Sequence, residues 1–406
     1  MVEWKEYRIK DLGEVVTGNT PPTSNREYYG TEYKFIKPTD MVEGQRFVST
    51  TEEYYSELAY QKYKKCLLPP KTPCVVTIGS LGKKMCLTDT ECFTNQAVNA
   101  VIPNKENDGE FLYYAFKASV LAYVKQLDSG TTSGRENVSK SSFSKIKVRV
   151  PPLRTQQKIA SILSAYDNLI QNYKKQIEAL QTAASELYKE WFVRFRFPGY
   201  QTAEFENGIP EGWKIERIGN IGEVIGGGTP STENEEYWDG DIPWLSPVDL
   251  SDNTNVYVSR GGKNITKLGL QKSSAKMMPK DTVLLSSRAP VGYVALAKNP
   301  ICTNQGFKSV VCNTSVIQPI YLYFYFRMNK NYLQSIASGA TFPELSGSMM
   351  KKLKVLLPQM ELQKEFSKKA NIFISKAELL SEQITNLTQQ RDLLLPRLMR
   401  GALEVH

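Results

Sequence analysis

The chain has 406 residues, and its 51 Lys plus Arg against 42 Asp plus Glu give a net charge of +9. This length allows two or three domains, and a content of 41% hydrophobic and 23% charged residues is typical of a soluble globular protein. The one histidine is the last residue, His406, which excludes histidine general bases, Ser-His-Asp and Cys-His catalysis, and histidine-ligated metals. The positive charge weakly favours a polyanionic partner.

Cysteine usage and hydropathy indicate the compartment. None of the six cysteines forms a Cys-x-x-Cys pair, so a zinc ribbon is not expected. The first residues are charged and lack an apolar signal core, and the longest apolar stretch, around residues 320–326, is too short to cross a bilayer. We therefore expect a reduced, cytoplasmic protein with no membrane partner, in which Cys66, Cys74, Cys86 and Cys92 are small core residues.

A tandem duplication organises the chain. Trp4-Lys5 recurs as Trp213-Lys214, which lies 209 residues later, and many further positions match at the same offset. Matches this extensive at one register do not arise by chance, so the two halves are copies of one module. The matches include Gly18 with Gly227, Thr20-Pro21 with Thr229-Pro230, and Thr94-Asn95-Gln96 with Thr303-Asn304-Gln305.

Each copy begins with about 150 residues of short β-type runs bounded by turn signals. One predicted helix interrupts these runs in each half, near residues 110–126 and 319–335. The pattern predicts a mixed α/β globular domain. The clearest strand runs are residues 74–78, 145–150, 282–285 and 354–357.

A long helix follows a proline in each copy. After Pro151-Pro152, apolar residues recur at alternating steps of four and three, which is a heptad seam. The second copy, after Pro358, keeps this register, and Arg391 is the only charged residue at a seam position. The predicted seam residues are Ile159, Leu163, Tyr166, Ile170, Tyr173, Ile177, Leu180 and Leu187 in the first helix, and Phe366, Phe373, Leu380, Ile384, Leu387 and Leu394 in the second.

These seams need partners, because a helix of about 40 residues is about 60 Å long and cannot bury its seam inside one globular domain. The chain order of domain, helix, domain, helix favours an intramolecular antiparallel coiled coil with pseudo-twofold symmetry; the alternative is that the seams join separate chains. The predicted fold class is therefore α+β. The predicted segments are domain 1 at 1–152, the first helix at 153–193, a linker at 194–212, domain 2 at 213–358 and the second helix at 359–401.

No catalytic constellation is evident. The chain has no P-loop, no Gly-x-Gly-x-x-Gly after a strand, and carboxylates that fall in polar loops. What remains is a binding protein with two similar domains. A duplicated module suits a repetitive linear ligand such as DNA, whose groove faces recur with each helical turn.

The chain resembles the specificity (S) subunit of type I restriction–modification enzymes over essentially its full length. Three motifs carry the resemblance: Pro151-Pro152-Leu153 with Gln156 and Ile159-Ala160, Leu187-Tyr188-Lys189-Glu190-Trp191-Phe192-Val193, and Arg391-Asp392-Leu393-Leu394-Leu395-Pro396-Arg397-Leu398-Met399. The second helix opens less typically, with Pro358-Gln359-Met360.

The resemblance implies two target-recognition domains, each reading one part of a split, asymmetric site in double-stranded DNA. It implies that the paired helices act as a ruler and dock two methyltransferase (M) subunits, and that restriction (R) subunits, expected to be two, join for DNA translocation and cleavage. The S subunit would be non-catalytic and without a cofactor or metal, while its partners use S-adenosylmethionine, Mg²⁺ and ATP.

The repeat separates shared from discriminating residues. Side chains identical in both halves cannot distinguish two half-sites, so we assign them to folding or phosphate contact. Asn95-Gln96 and Asn304-Gln305 have two interpretations, either adenine contacts or buried amides that hold a turn, and the second is favoured. Candidates for DNA binding lie where the halves differ: Arg26, Arg46, Ser80, Lys83, Lys84 and Arg135 in the first, and Asn253, Asn255, Arg260, Lys263, Ser287, Arg288 and Tyr293 in the second.

Two further questions stay open at this level. The aromatic run 191–197 can dock a partner subunit, or it can seat the helix end against the second domain. The function also has rivals: a coiled-coil scaffold that joins two protein-binding domains without DNA recognition, and a stand-alone repressor that needs no M subunits.

Overall fold

The computed structural model describes residues 3–127, 137–251, 253, 255–339, 343–403 and 405. The chain divides into two compact units, which we call unit 1 (Met1–Asn172 with Thr385–His406) and unit 2 (Tyr173–Ile384). Each unit contains one mixed domain of strands and helices together with a segment of both long helices. The predicted α+β fold class is therefore confirmed.

The described residues of unit 1 form three sheets. The largest has the order β2-β8-β5-β6 with antiparallel pairs, in which Cys74 faces Ala100 on one side and Cys86 on the other. A second sheet has the order β4-β3-β7, and β1 pairs with β9. The strands are β1 Lys5–Arg8, β2 Gly13–Thr17, β3 Tyr29–Ile36, β4 Glu53–Tyr55, β5 Pro73–Val76, β6 Met85–Leu87, β7 Cys92–Thr94, β8 Val98–Pro103 and β9 Lys147–Val150.

The predicted helix near residues 110–126 is present, with a π-helical turn at Phe116–Val120 in its middle. It begins after Asp108, whose carboxylate accepts a hydrogen bond from Phe111 N at 2.8 Å. Its apolar side chains pack into the core of unit 1. The helices are α1 Ile9–Leu12, α2 Glu57–Tyr63, α3 Gly109–Ala115, α4 Leu121–Gln126, α5 Lys140–Ser144 and the long α6 Leu153–Phe192.

Unit 2 repeats this arrangement. A five-stranded sheet has the order β13-β20-β17-β18-β15, a second has the order β16-β14-β19, and β12 pairs with β21. A short hairpin, β10 with β11, lies in the segment after α6. The strands are β10 Phe205–Glu206, β11 Ile209–Pro210, β12 Lys214–Arg217, β13 Gly222–Gly226, β14 Trp238–Leu245, β15 Tyr257–Val258, β16 Lys263–Ile265, β17 Val283–Leu285, β18 Val294–Ala297, β19 Cys302–Thr303, β20 Lys308–Cys312 and β21 Lys354–Leu357.

The helices of unit 2 follow the same plan. The predicted helix near residues 319–335 is present as two consecutive helices, and the first of them packs six buried side chains into the core. No helix among the described residues has both the length and the apolar character that a membrane span requires. The helices are α7 Ile218–Ile221, α8 Lys267–Gln271, α9 Pro319–Met328, α10 Lys330–Ile336, α11 Gly347–Lys352 and the long α12 Met360–Met399.

A buried glutamine fixes the start of each long helix. In unit 1, Gln156 Nε2 donates to Pro151 O at 2.9 Å, and Gln156 Oε1 accepts from Asp108 N at 2.9 Å. In unit 2, Gln363 Nε2 donates to Pro358 O at 2.9 Å, and its Oε1 accepts from Gln318 N at 3.0 Å. Each glutamine therefore ties the first turn of the long helix to the helix of its own domain, which explains the Pro-x-x-x-x-Gln spacing in both copies.

Within unit 1, the first part of α6 packs against the last part of α12. Ile159 and Leu163 share a cluster with Leu395 and Leu398, and one turn after Leu163, Asp167 contacts Arg391. Because residues later in α6 meet residues earlier in α12, the two segments are antiparallel.

Within unit 2, the last part of α6 packs against the first part of α12. Ile177 meets Ala377 and Leu380, and further along α6 the Phe192 ring lies 5.0 Å from the Phe366 ring. These segments are also antiparallel. Trp191 and Phe192 are buried in the core of unit 2, which supports the interpretation that the aromatic run seats the helix end against the second domain.

The predicted seam residues differ in burial. In α12, Ile374 is buried while the predicted Phe373 is only partly buried, because the 3.6-residue helical period drifts against a 3.5-residue seam. Ile159, Leu163, Ile170, Ile177, Phe366 and Leu380 are buried, and Tyr166, Tyr173, Leu180, Leu187, Phe373, Ile384, Leu387 and Leu394 are half-buried.

Candidate functional site

Three connecting segments meet in unit 1: the first loop (residues 18–25), the second loop (residues 77–84) and the turn at residues 95–97. Asn19 N donates to Thr94 O at 2.9 Å, which ties the first loop to the start of the turn. Thr77 N donates to Ala97 O at 2.8 Å, which ties the second loop to its end. We call this arrangement the three-loop cluster.

Unit 2 builds the same cluster from residues 227–234, 286–293 and 304–306. Gly228 N donates to Thr303 O at 2.9 Å, and Ser287 N donates to Gly306 O at 2.7 Å. The cluster therefore occurs twice, at positions that the internal repeat relates.

Close packing explains the matched glycines. A Cβ atom on Gly18 would lie 2.0 Å from Thr94 O, and one on Gly227 would lie 2.1 Å from Asn304 O. Real Cβ atoms do not approach so closely, so these positions require glycine. The cause is the close contact between the first loop and the turn.

Aromatic side chains hold the first loop by hydrogen bonds to its backbone; Tyr55 and Trp244 are buried, and Tyr29 and Trp238 are half-buried. Tyr29 Oη donates to Pro21 O at 3.0 Å, and at the matched position Trp238 Nε1 donates to Ser231 O at 3.0 Å. Tyr55 Oη donates to Asn19 O at 2.5 Å, and Trp244 Nε1 donates to Gly228 O at 2.9 Å. Burial raises the pKa of Tyr55 far above its usual range, so this donor stays protonated.

The two members of the Asn-Gln pairs have different environments. Asn95 Oδ1 accepts from Ala97 N at 3.1 Å, and Asn304 Oδ1 accepts from Gly306 N at 2.8 Å. These asparagines hold the turn. Gln96 and Gln305 are exposed beside them.

Three of the six candidates of the first half lie at the surface. Arg26, Ser80 and Lys83 are exposed. Lys84 is half-buried, and its ammonium donates to Pro38 O at 2.8 Å. Arg135 lies outside the described residues.

Arg46 lies inside unit 1, unlike the exposed candidates. Its side chain is buried, with an Nη2 to Glu110 Oε1 distance of 3.0 Å and an Nη1 to Asn168 Oδ1 distance of 3.2 Å. The guanidinium also lies 4.6 Å from the centre of the Phe47 ring. These contacts engage the charge inside unit 1, since a buried charge requires partners.

Three candidates of the second half present side chains at or near the surface. Arg260 and Lys263 are exposed, and the Lys263 ammonium lies 5.3 Å from the Trp238 ring. Arg288 is partly exposed and lies 3.8 Å from a Glu344 carboxylate oxygen.

The remaining candidates of the second half are more enclosed. Asn253 Nδ2 donates to Asn255 O at 3.0 Å, and Asn255 Nδ2 donates to Ser381 Oγ at 3.2 Å. Tyr293 is half-buried, and its ring lies 5.2 Å from the Lys330 ammonium. Ser287 is fully buried and donates to Gly306 O at 3.1 Å, so it holds the cluster together.

Six of the thirteen candidates lie in the second loops of the two units. Ser80, Lys83 and Lys84 lie in the second loop of unit 1, and Ser287, Arg288 and Tyr293 lie in the matched loop of unit 2. Sequence reasoning missed Glu344, which contacts both Arg288 and Lys308. Across the described residues, no group of three or more His, Cys, Asp or Glu is placed to hold a metal ion.

Comparisons with known proteins agree with this duplicated architecture. The HindI specificity subunit of Haemophilus influenzae is 23% identical over an alignment of 478 residues that covers 99% of this chain and 100% of that protein. The MjaIX specificity subunit of Methanocaldococcus jannaschii is 47% identical over 161 residues, which are 39% of this chain and 37% of that protein. A crystal structure of an S subunit from M. genitalium shares the fold, with a TM-score of 0.66 and 18% identity over 98% of this chain and 96% of that one.

The family model agrees with both halves of the repeat. Residues 1–182 and 210–389 each match the model described as the type I restriction modification DNA specificity domain. The two matches cover most of the chain and include both three-loop clusters. The chain therefore belongs to the type I restriction–modification DNA specificity family.

Proposed function

We propose that this chain is the sequence-specific DNA-recognition subunit of a type I restriction–modification complex. The observation that carries the proposal is the three-loop cluster, which is built twice on matched hydrogen bonds but presents different side chains. Lys83 in unit 1 corresponds to Gly292 in unit 2, and Arg288 in unit 2 corresponds to Ile78 in unit 1, because Ser287 makes the contact that Thr77 makes. The same backbone arrangement with different exposed side chains in each unit suits the recognition of two different half-sites.

These side chains suit DNA chemically. An arginine such as Arg288 can pair with guanine O6 and N7 in the major groove. A lysine such as Lys83 neutralises phosphates, which positions the protein without specifying sequence. We take residues 1–152 and 213–358 as two target-recognition domains, each reading one part of a bipartite, asymmetric site.

The chain itself is proposed to be non-catalytic. In this account it positions two M subunits and two R subunits, which use S-adenosylmethionine, Mg²⁺ and ATP. The paired segments of α6 and α12 set the separation of the two target-recognition domains. Each target-recognition domain is followed by a long helix, at 153–193 and at 359–401. A linker at 194–212 joins the first helix to the second domain.

Duplex binding tests the proposal against the scaffold alternative. The chain is purified with its M subunits, and its affinity for duplex DNA is measured as salt rises. A DNA reader with several phosphate contacts loses affinity steeply, with a linear dependence of log K on log salt. A scaffold for proteins would show little duplex binding at any salt concentration, and that result would refute the proposal. Tight specific binding by the chain without M subunits would instead favour the repressor.

A further inference from the structure

Gln96 and Gln305 are exposed side chains whose position is nevertheless fixed. Thr20 Oγ1 donates to Gln96 Oε1 at 2.5 Å, and Thr229 Oγ1 donates to Gln305 Oε1 in the matched contact. Because the oxygen of each amide is engaged, the amide plane is oriented and the Nε2 group is presented to solvent. Among the described contacts, neither Nε2 atom donates to another protein group.

This threonine–glutamine contact is not needed to hold the loops together. Backbone hydrogen bonds already join Asn19 to Thr94 and Gly228 to Thr303, and the turn is held by Asn95 and Asn304. An exposed hydrogen bond adds little net stability, while fixing a glutamine side chain costs conformational entropy. Its recurrence at the same offset in both units points to a ligand.

The threonine and the glutamine are the same in both units, and this limits the kind of ligand that they can bind. The two halves differ in the side chains that can read bases, whereas Thr20, Gln96 and their counterparts are the same. An oriented N–H donor that is common to both halves suits a DNA feature that does not vary with sequence. The phosphate oxygens are such a feature, and glutamine and threonine are usual phosphate ligands.

We propose that Gln96 and Gln305 each donate an amide hydrogen bond to a DNA backbone phosphate, and that Thr20 and Thr229 are positioning residues for them. The inference rests on the proposed DNA-recognition function. The contact would also set the register of the base-reading Arg288, because Ser287 N–H···O=C Gly306 joins the turn that carries Gln305 to the second loop that carries Arg288.

The test compares Gln96→Ala and Gln305→Ala in the complex with M subunits. Affinity is measured for a duplex that contains the recognised site, taken from the host methylome, and for a scrambled duplex of the same composition. Each variant is expected to bind both duplexes about three- to tenfold more weakly. The slope of log K against log salt should not change, because the lost group is uncharged. Gln61→Ala and Gln271→Ala remove exposed glutamines on α2 and α8, and both should bind like the wild type.

A second pair of variants keeps the side-chain shape. Gln96→Glu and Gln305→Glu retain an oxygen that can accept from threonine, but they replace the donor with an anion. Both should bind both duplexes more weakly than the alanine variants, because a carboxylate repels phosphate.

The outcomes separate the inference from the proposed function. Wild-type affinity in the alanine or glutamate variants would overturn the inference, as would a loss confined to the site-containing duplex, which would indicate a base contact. If the wild-type complex itself binds neither duplex, the proposed function fails.

Discussion

The carboxylate of Asp167 and the guanidinium of Arg391 form a largely buried ion pair in unit 1, with 2.6 Å between Oδ1 and Nη1. The hydroxyl of Tyr114 donates to the other carboxylate oxygen, also at 2.6 Å. The two long helices are related by an offset of 207 residues, as Gln156 and Gln363 show, so these partners correspond to Ile374 and Ala184 in unit 2, which are both buried and apolar. Arg391 thus departs from the heptad pattern because unit 1 uses a polar contact where unit 2 uses an apolar one.

Removing Arg391 should destabilise unit 1 strongly. Arg391→Ala leaves the Asp167 carboxylate buried without its counter-charge, and the expected loss is about 3–5 kcal/mol in the free energy of unfolding. The double variant Arg391→Ala with Asp167→Ile copies the contact of unit 2 and should lose only about 1–3 kcal/mol, since the Tyr114 hydroxyl still loses its acceptor. Chemical denaturation followed by circular dichroism measures both values. A double variant less stable than Arg391→Ala would contradict this explanation.

Lys117 gives a pH-dependent prediction. Burial lowers the pKa of its ammonium, the nearby Arg391 lowers it further, and Asp167 and Asp392 oppose the shift. The folded chain therefore binds fewer protons than the unfolded chain between this lowered pKa and the ordinary value of 10.5. Below the lowered pKa, the folded chain carries the full free-energy cost of burying the charged Lys117 ammonium. This cost disappears as the pH rises through the range.

Lys117→Met should therefore raise the thermal midpoint at pH 7, and its advantage over the wild type should shrink towards pH 10.5. Differential scanning calorimetry of both proteins across this range measures the difference. Lys125→Met, on the adjacent α4, is the control, because the Lys125 side chain is exposed. A constant advantage for Lys117→Met at every pH would show that burial of the charge is not the cause.

Lys83→Ala tests the second loop of unit 1. If Lys83 contacts a phosphate, the variant should weaken binding to all duplexes and reduce the steepness of the salt dependence by about one. Lys105→Ala is the matched control, because Lys105 lies beyond the opposite end of β8 from the turn at 95–97. Equal salt slopes for the two variants would remove Lys83 from the DNA interface.

The long helices allow a test of spacing. Four residues inserted into α6 after Asn172 and into α12 before Thr385 leave the contacts within each unit intact. Four residues add about 6 Å of helix, so the preferred gap between half-sites should lengthen by about one to two base pairs of 3.4 Å each. Methylation mapping reads the gap directly. An unchanged gap would refute the ruler, and an insertion in only one helix should abolish methylation because it breaks the register.

Much of the architecture is visible in the sequence because local patterns repeat. The offset of 209 residues identifies both domains, and the heptad steps identify both long helices, which begin at Leu153 and Met360. The reason for the glutamine at Gln156 is not visible, because its partner Asp108 lies far away along the chain and is placed there only by the fold.

The DNA-binding candidates were harder to predict, because the burial of a side chain also depends on the fold. Arg46 and Lys83 are both basic residues in polar segments of the sequence, yet one is buried against Glu110 and the other is exposed. Charge and position along the chain do not report burial. The division between Asn95 and Gln96 also depends on the turn, since the first amide is used by a backbone N–H two residues later and the second is not.

A domain exchange tests the central claim most directly. Residues 1–152 are replaced by the corresponding residues of another specificity subunit, and the methylome of the host is sequenced with the parent and with the hybrid. The account predicts that one half-site changes to that of the donor while the other half-site is retained. A methylome in which both half-sites change, or in which neither changes, would contradict it.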